Sequence, residues 1–402
     1  MESGGDKTAD RTRRRQWRVL TAGSLAHVTH DGFAGMLYLF FPIWQSAYGL
    51  NFTQVGFLKS LFSGGMSVFQ MPSGILAGRI GILKVLTAGS ILTSLALFGT
   101  GLTSSPAALG LLLALGGIGS STQHPLSSTA ISNSFGGKAS RVALSTYNFI
   151  GDVGKLIFPL FAAMLITRYS WEKAIGSLGL CGLAGTALFF FFLSGMPVDA
   201  KRSERTSFAR SFSFLKGKDS LPFLSLSAIG VIDGVTRSGF LTFLPFLFQA
   251  RGADMTEVAL ALSLIFGGGA AGKFVCGAAA TRVGILRIVI LTEAATALCI
   301  LGAIALPVNI TLLLCPLLGI MLNGTSSVLY GSVPELVPAF SRNEAFAFFY
   351  TCSIGAGALA PFFYGLLSDG IGLNAAMTAV ALCVLATIPL TWLLRGRVGR
   401  DD

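Results

Sequence analysis

Gly74-Ile-Leu-Ala-Gly78-Arg79-Ile-Gly81-Ile-Leu-Lys84 lies between two apolar runs, and Gly277-Ala-Ala-Ala-Thr281-Arg282-Val-Gly284-Ile-Leu-Arg287 lies between two more, 203 positions later. Each reads as a short basic hinge between helices. The same spacing extends upstream: Pro42 pairs with Pro245, Gly49 with Gly252, Thr53 with Thr256, and Gly64-Gly65 with Gly267-Gly268. Asp31-Gly32 matches Asp233-Gly234 with a one-residue slip. The chain is therefore a tandem of two related halves. A parallel repeat of this kind predicts a substrate site between the halves, near mid-membrane.

The surroundings of the repeat are apolar throughout. Of 402 residues, 52% are hydrophobic and 12% charged, against about 25% charged in soluble domains. Mean hydropathy is +0.72. Apolar runs long enough to cross about 30 Å of hydrocarbon recur down the chain. They fall near 19–46, 52–77, 83–103, 107–132, 142–167, 172–195, 221–249, 256–280, 284–306, 311–337, 344–367 and 374–394. The expected fold is an all-α polytopic membrane protein, with 12 transmembrane helices in two pseudo-symmetric six-helix bundles. Its parts are a tail at 1–18, a bundle at 19–196, a polar basic loop at 197–220, a second bundle at 221–394 and a tail at 395–402. The 50 glycines fit this reading, because close helix packing in a bilayer uses small residues. The six cysteines all fall inside spans and read as small buried side chains. No cleavable leader is visible before the first span.

Charge supports this topology. Arg168, Lys173 and Arg251 fall on one face, and Lys59, Lys155, Arg237 and Lys273 within spans. The other 22 of the 29 Lys and Arg residues share the face of the two tails. That asymmetry places both termini in the cytoplasm. It also explains the net charge of +11 without a nucleic-acid partner.

An ionisable side chain at mid-bilayer costs at least about 2.5 kcal/mol and needs a cause. His27, His30 and Asp31 share one face of the first helix, at i, i+3 and i+4. They read either as a proton site or as a polar patch that orients the helix. Asp152 and Lys155 are spaced i, i+3; Asp233 and Arg237 are i, i+4. Each pair can neutralise itself along its own helix, or a substrate can compete for the cation. Asp31 has no cation nearby in sequence, which makes it the better proton carrier by elimination. Lys59 either snorkels or serves the site, and Lys273 takes the place of Gln70 in the repeat. Pro125 breaks the ladder at His124, leaving that ring to face the cavity or to pack between helices. Glu293 completes a balance of four cations and four carboxylates (Asp31, Asp152, Asp233, Glu293) within spans.

The stretch 74–84 resembles the loop signature of the major facilitator superfamily, G-x-L-A-D-R-x-G-x-x-K/R, and 277–287 is its weaker copy. The resemblance implies a gating loop at Gly74, Gly78, Arg79, Gly81 and Arg282, whose glycines allow close approach. The usual Asp is Gly78 here and Thr281 in the repeat. The His27/Asp31 region, Gly49 to Leu58, Gly117 to Pro125 and Arg141 to Pro159 resemble the fosmidomycin-resistance group of exporters. The usual Glu after the His-Pro pair is Leu126. Gly151-Asp152-Val-Gly154-Lys155-Leu-Ile-Phe158-Pro159 resembles the antiporter motif of the fifth helix. The resemblance makes helices 1, 4, 5 and 7 cavity-lining and the location the bacterial inner membrane.

No P-loop, H-x-x-E-H spacing or nucleophile elbow is present, so neither an enzyme nor ATP drive is expected. No cofactor or metal is expected. The function anticipated is proton-coupled efflux of a small organic anion by a monomer. Asp31 with His30 or His27 would carry the proton. His124, Lys155, Arg237 and Lys273, with Lys59, would meet substrate, and Asp152 and Asp233 would hold the cations. Anion uptake by the same fold, and a non-transporting sensor or scaffold, are the alternatives.

Overall fold

The computed structural model describes residues 3–194, 220–338 and 342–398, and all their regular structure is helical. The helices are α1 (Ser3–Tyr48), α2 (Phe52–Ile80), α3 (Ile82–Thr100), α4 (Pro106–Ser120), α5 (Gln123–Ser134), α6 (Gly137–Arg168) and α7 (Trp171–Leu193). After them come α8 (Ser220–Gln249), α9 (Met255–Val283), α10 (Ile285–Ala305), α11 (Val308–Leu336), α12 (Arg342–Ile371), α13 (Leu373–Leu385) and α14 (Thr387–Trp392). Pairs α4/α5 and α13/α14 each make one interrupted span, so the fourteen helices form twelve spans. Among the described residues, nine spans are long and apolar enough to cross a membrane by length and composition alone. The other three are α1, α2 and α4/α5, which carry the charges, amides and hydroxyls discussed below.

The α4/α5 break follows from Pro125. Its ring clashes with the carbonyl four residues earlier, at Ser121, and it offers no N–H; the helix stops at Ser120 and resumes at Gln123. α1 starts well upstream of the first expected span, so the segment 3–18 is helical and continuous with it. The expected central loop, 197–220, lies outside the described residues apart from Ser220.

Both hinges of the repeat take one form. α2 ends at Ile80, Gly81 adopts φ +99°, and α3 begins at Ile82. α9 ends at Val283, Gly284 adopts φ +94°, and α10 begins at Ile285. Only glycine takes that region freely. Arg79 and Arg282, both exposed, close the last turns of α2 and α9, where cations complement the helix dipole. The expected close approach at Gly74 and Gly78 does not occur. A Cβ at either position, or at Gly277, would meet nothing within 4 Å.

The chain packs as two compact units, Met1–Leu37 with Leu61–Ser203, and Tyr38–Ser60 with Glu204–Asp402. Within the second, α2 starts on α12. Asp369 accepts hydrogen bonds from the backbone N–H of Phe52 (2.9 Å) and Thr53 (2.8 Å) and from the Thr53 hydroxyl (2.6 Å). It thus caps α2 from a distant part of the sequence. A Cβ on Gly56 would lie 2.0 Å from the Pro361 carbonyl oxygen, so the two backbones touch here. Arg251 closes the other end of a neighbouring helix, donating to the Ala303 and Leu306 carbonyls at the end of α10. All six cysteines are free; Cys181 is exposed and Cys352 and Cys383 are half-buried, which corrects the expectation that all six are buried.

Candidate functional site

In the first unit the site is built on the contact between α1 and α6. A Cβ on Gly154 would lie 2.1 Å from the Val28 carbonyl oxygen, and one on Gly151 would lie 2.5 Å from the His27 ring. These two small residues let the α6 backbone rest directly against the charged turn of α1. Lys155 is thereby carried to Asp31, with Nζ 2.7 Å from Oδ2, and it also lies 3.5 Å from Asp152 Oδ1. The sequence pairs Lys155 with Asp152 and leaves Asp31 without a cation. The structure keeps the first pair and corrects the second point, because Lys155 bridges the two carboxylates and lies nearer Asp31.

All three histidines of the chain gather at the same carboxylate. His27 Nε2 is 3.2 Å from Asp31 Oδ2, and His124 Nε2 and His30 Nε2 are 3.6 and 3.8 Å from Oδ1. The Tyr147 ring stacks on His27 at 4.0 Å, and His124 stands edge-on to both His27 and His30. His27, His30 and Asp31 are buried, while Lys155 and His124 are 30% and 39% exposed at their side chains.

The hydrogen atoms on His27 follow from its partners. Nδ1 lies 3.0 Å from the Tyr147 carbonyl oxygen. A carbonyl only accepts, so Nδ1 carries a hydrogen. Nε2 then faces an Asp31 oxygen. A lone pair there would repel a carboxylate, and the contact becomes attractive when the pair holds one further proton. The ligating atoms of His27, Asp31 and His124 also lie within 4.8 Å of one another, close enough to gather on a cation. The Lys155 ammonium already brings a positive charge to that carboxylate.

In the second unit the equivalent aspartate is served from its own helix. Arg237 Nη2 donates to Asp233 Oδ2 at 2.7 Å, and Nη1 to Ser326 Oγ of α11 at 3.4 Å. Asp233 is buried and the Arg237 side chain is 29% exposed. Glu293 of α10 is also buried, beside this pair. Lys273 sits half-buried on α9. Lys59 belongs to this unit too. It is buried, with Nζ 4.6 Å from the centroid of the Tyr38 ring. That is a cation–π contact, in place of the snorkelling considered from sequence.

Two participants escape the sequence reading. Tyr147 stands two turns before Lys155 in an ordinary apolar run, and Ser326 is one hydroxyl among many. Only the folded contacts single them out.

A family profile of the Major Facilitator Superfamily matches residues 23–232 and 226–401. The fosmidomycin resistance protein of Escherichia coli (strain K12) is 31% identical over 156 residues, covering 39% of this chain and 38% of that one. A probable sulfoacetate transporter of Cupriavidus necator is 25% identical over 60% of this chain and 59% of its own length. These two matches thus span less than two thirds of the relatives. A gallate transporter of Pseudomonas putida is 24% identical over 92% of this chain and 90% of its own. Among solved structures, a bacterial homologue of the human lysosomal transporter Spinster superposes with a TM-score of 0.78 at 18% identity, covering 94% of this chain and 96% of that one. The nucleoside transporter NupG gives 0.75 at 15% identity, covering 95% and 99%. The twelve spans, the doubled hinge and the profile over both halves agree, and this chain belongs to the Major Facilitator Superfamily of membrane transporters.

Proposed function

We propose that this chain exports a small organic anion across the bacterial inner membrane by alternating access, coupled to protons. It acts as a monomer with both termini in the cytoplasm and needs no nucleic acid. One observation carries the reading. Asp31 is a buried carboxylate surrounded by three imidazoles and one ammonium, and His27, whose Nδ1 is held by the Tyr147 carbonyl, brings its Nε2 to 3.2 Å from an Asp31 oxygen. Imidazole and carboxyl groups both bind and release protons, so the cluster has the chemistry to carry one.

The cations fit an anionic substrate. Lys155 and Arg237 are each anchored to a buried aspartate yet remain partly open. An incoming carboxylate or phosphonate can take over their outer donors, with the guanidinium fork of Arg237 suited to two-point contact. His124 and Lys273 complete the substrate contacts, Lys59 adds charge on the second unit, and Asp152 and Asp233 hold the cations between cycles. Three relatives carry names of such compounds: fosmidomycin is a phosphonate, and sulfoacetate and gallate are carboxylates.

The test uses sealed inverted vesicles with radiolabelled sulfoacetate, gallate and fosmidomycin. Export predicts accumulation driven by an inside-acid gradient. Asp31→Asn should abolish that accumulation and keep substrate exchange without a gradient. Accumulation only in right-side-out vesicles would favour uptake, and gradient-driven flux unchanged in Asp31→Asn would remove Asp31 from proton coupling.

A further inference from the structure

We propose that Glu293 is a second proton-exchange group, belonging to the second half and standing apart from the Asp31 cluster. The inference rests on the proton-coupled reading above and extends it to residues that reading does not use.

Glu293 is 1% exposed on α10, and its Oε1 has no hydrogen-bond partner among the described residues. A bare carboxylate in that position would bear the full cost of desolvation, whereas the neutral acid bears little of it. The neighbouring charges do not relieve it. Helices α8, α9, α11, α13 and α14 pack on α10. Their acidic and basic side chains are Asp233 and Arg237 on α8, Glu257, Lys273 and Arg282 on α9, and Glu335 on α11. Asp233 and Arg237 are the two that act on Glu293. Arg237 is already bonded to Asp233 and Ser326. Asp233 thus already holds the guanidinium, and the buried Glu293 carboxyl beside that pair is favoured in its neutral form.

The repeat gives an independent reason. At the 203-residue offset Glu293 stands where the first half has Ser90, Thr296 where it has Thr93, and Thr325 where it has Thr122. Ser90, Thr93 and Thr122 line a cavity of about 20 Å³ together with His30 and Gln123. That is room for about one water. Among the described residues the buried His30 Nε2, 3.8 Å from Asp31 Oδ1, and both amide atoms of Gln123 meet the geometric criteria for no hydrogen bond. The position that borders this cavity as Ser90 in the first half thus carries a carboxyl in the second. Thr325 donates to Thr292 at 2.7 Å, and the buried Thr296 hydroxyl has no partner among the described residues. Thr292 adjoins Glu293 in sequence and Thr296 follows three residues on; hydroxyls both donate and accept, which suits a neighbour that takes up and releases a proton.

Infrared spectroscopy of the purified chain in lipid nanodiscs tests this without a known substrate. The wild-type minus Glu293→Gln difference spectrum at neutral pH should contain a protonated-carboxyl C=O band. That band should shift in D2O within minutes, and Glu293→Asp should restore an acid band at a different frequency. A difference spectrum with no acid band would mean that Glu293 is ionised and would overturn the proposal. A band that stays fixed in D2O for hours would mean a sealed structural acid and would overturn it equally. Asp31→Asn should keep the Glu293 band, so this result stands or falls separately from the flux test of Asp31.

Discussion

Asp31 and Asp233 occupy matching places in the two halves but obtain their cations by different routes. Asp31 receives Lys155 from another helix, across a contact that Gly151 and Gly154 keep open, and collects three histidines as well. Asp233 receives Arg237 from one turn along its own helix, and Arg237 also donates to Ser326. The first arrangement depends on tertiary packing and the second largely on helix periodicity. A pair within one helix survives a shift of its neighbours, whereas a pair between helices reports such a shift. The first half therefore has the better-placed charge device for linking protonation to helix movement.

The largest expected effect comes from removing each aspartate in turn. Breaking a buried ion pair by deleting one partner costs about 3–5 kcal/mol. Asp31→Asn should lie at the upper end, because three imidazoles lose their shared carboxylate and Lys155 keeps only the longer 3.5 Å contact with Asp152. Asp233→Asn should cost less, because Arg237 keeps Ser326 and the nearby Glu293 carboxyl. Thermal unfolding in nanodiscs measures both, and adding Lys155→Met to Asp31→Asn should recover much of the loss. Equal losses in the two single variants would erase the distinction between the halves.

Gly154 and its repeat partner Gly357 sharpen the comparison next. A Cβ at 154 meets the Val28 carbonyl at 2.1 Å, and one at 357 meets the Gly234 carbonyl at 3.1 Å. Overpacking of this kind costs about 1–3 kcal/mol. Gly154→Ala should separate Lys155 from Asp31 and depress gradient-driven flux severalfold. Gly357→Ala should leave the Asp233–Arg237 pair and the flux nearly intact. A reversed order in a flux assay would contradict the packing argument.

The two cations should also differ in tolerance. Arg237→Lys gives up one of two bonded nitrogens, a loss of about 1–3 kcal/mol if the contact left behind is buried. Its signature is a raised KM for the anion. Lys155→Arg keeps the charge but brings a larger planar head to a crowded turn, so it should lower the maximal rate more than it raises KM.

The smallest effect is at the cap of α2. Asp369→Asn keeps one acceptor and should cost about 1 kcal/mol or less, read as a small drop in unfolding temperature.

The route to each cation also explains how far the sequence could be read. The glycine hinges at 81 and 284, the Pro125 break and the Asp233–Arg237 pair are all local, fixed by backbone geometry or helical spacing, and each is visible in a single stretch. Lys155 reaching Asp31, Lys59 lying over Tyr38 and Asp369 capping α2 depend on which helix faces meet, and spacing within a helix says nothing about that. The loop glycines Gly74 and Gly78 mislead for a related reason. Their pattern suggests close contact, yet the space beside them is open. Glu293 and its match to Ser90 are legible from the repeat, but the cavity beside Ser90 and His30 and the burial of Glu293 appear only in the fold.

The most direct test of the central claim follows the protons themselves. Proteoliposomes carrying wild type, Asp31→Asn or Asp233→Asn would be loaded with a pH-sensitive dye and given sulfoacetate, gallate or fosmidomycin. Wild type should move protons with the accepted anion, Asp233→Asn should keep that movement at a reduced rate, and Asp31→Asn should exchange anion with no proton movement. Substrate-dependent proton flux of wild-type size in Asp31→Asn would contradict the account.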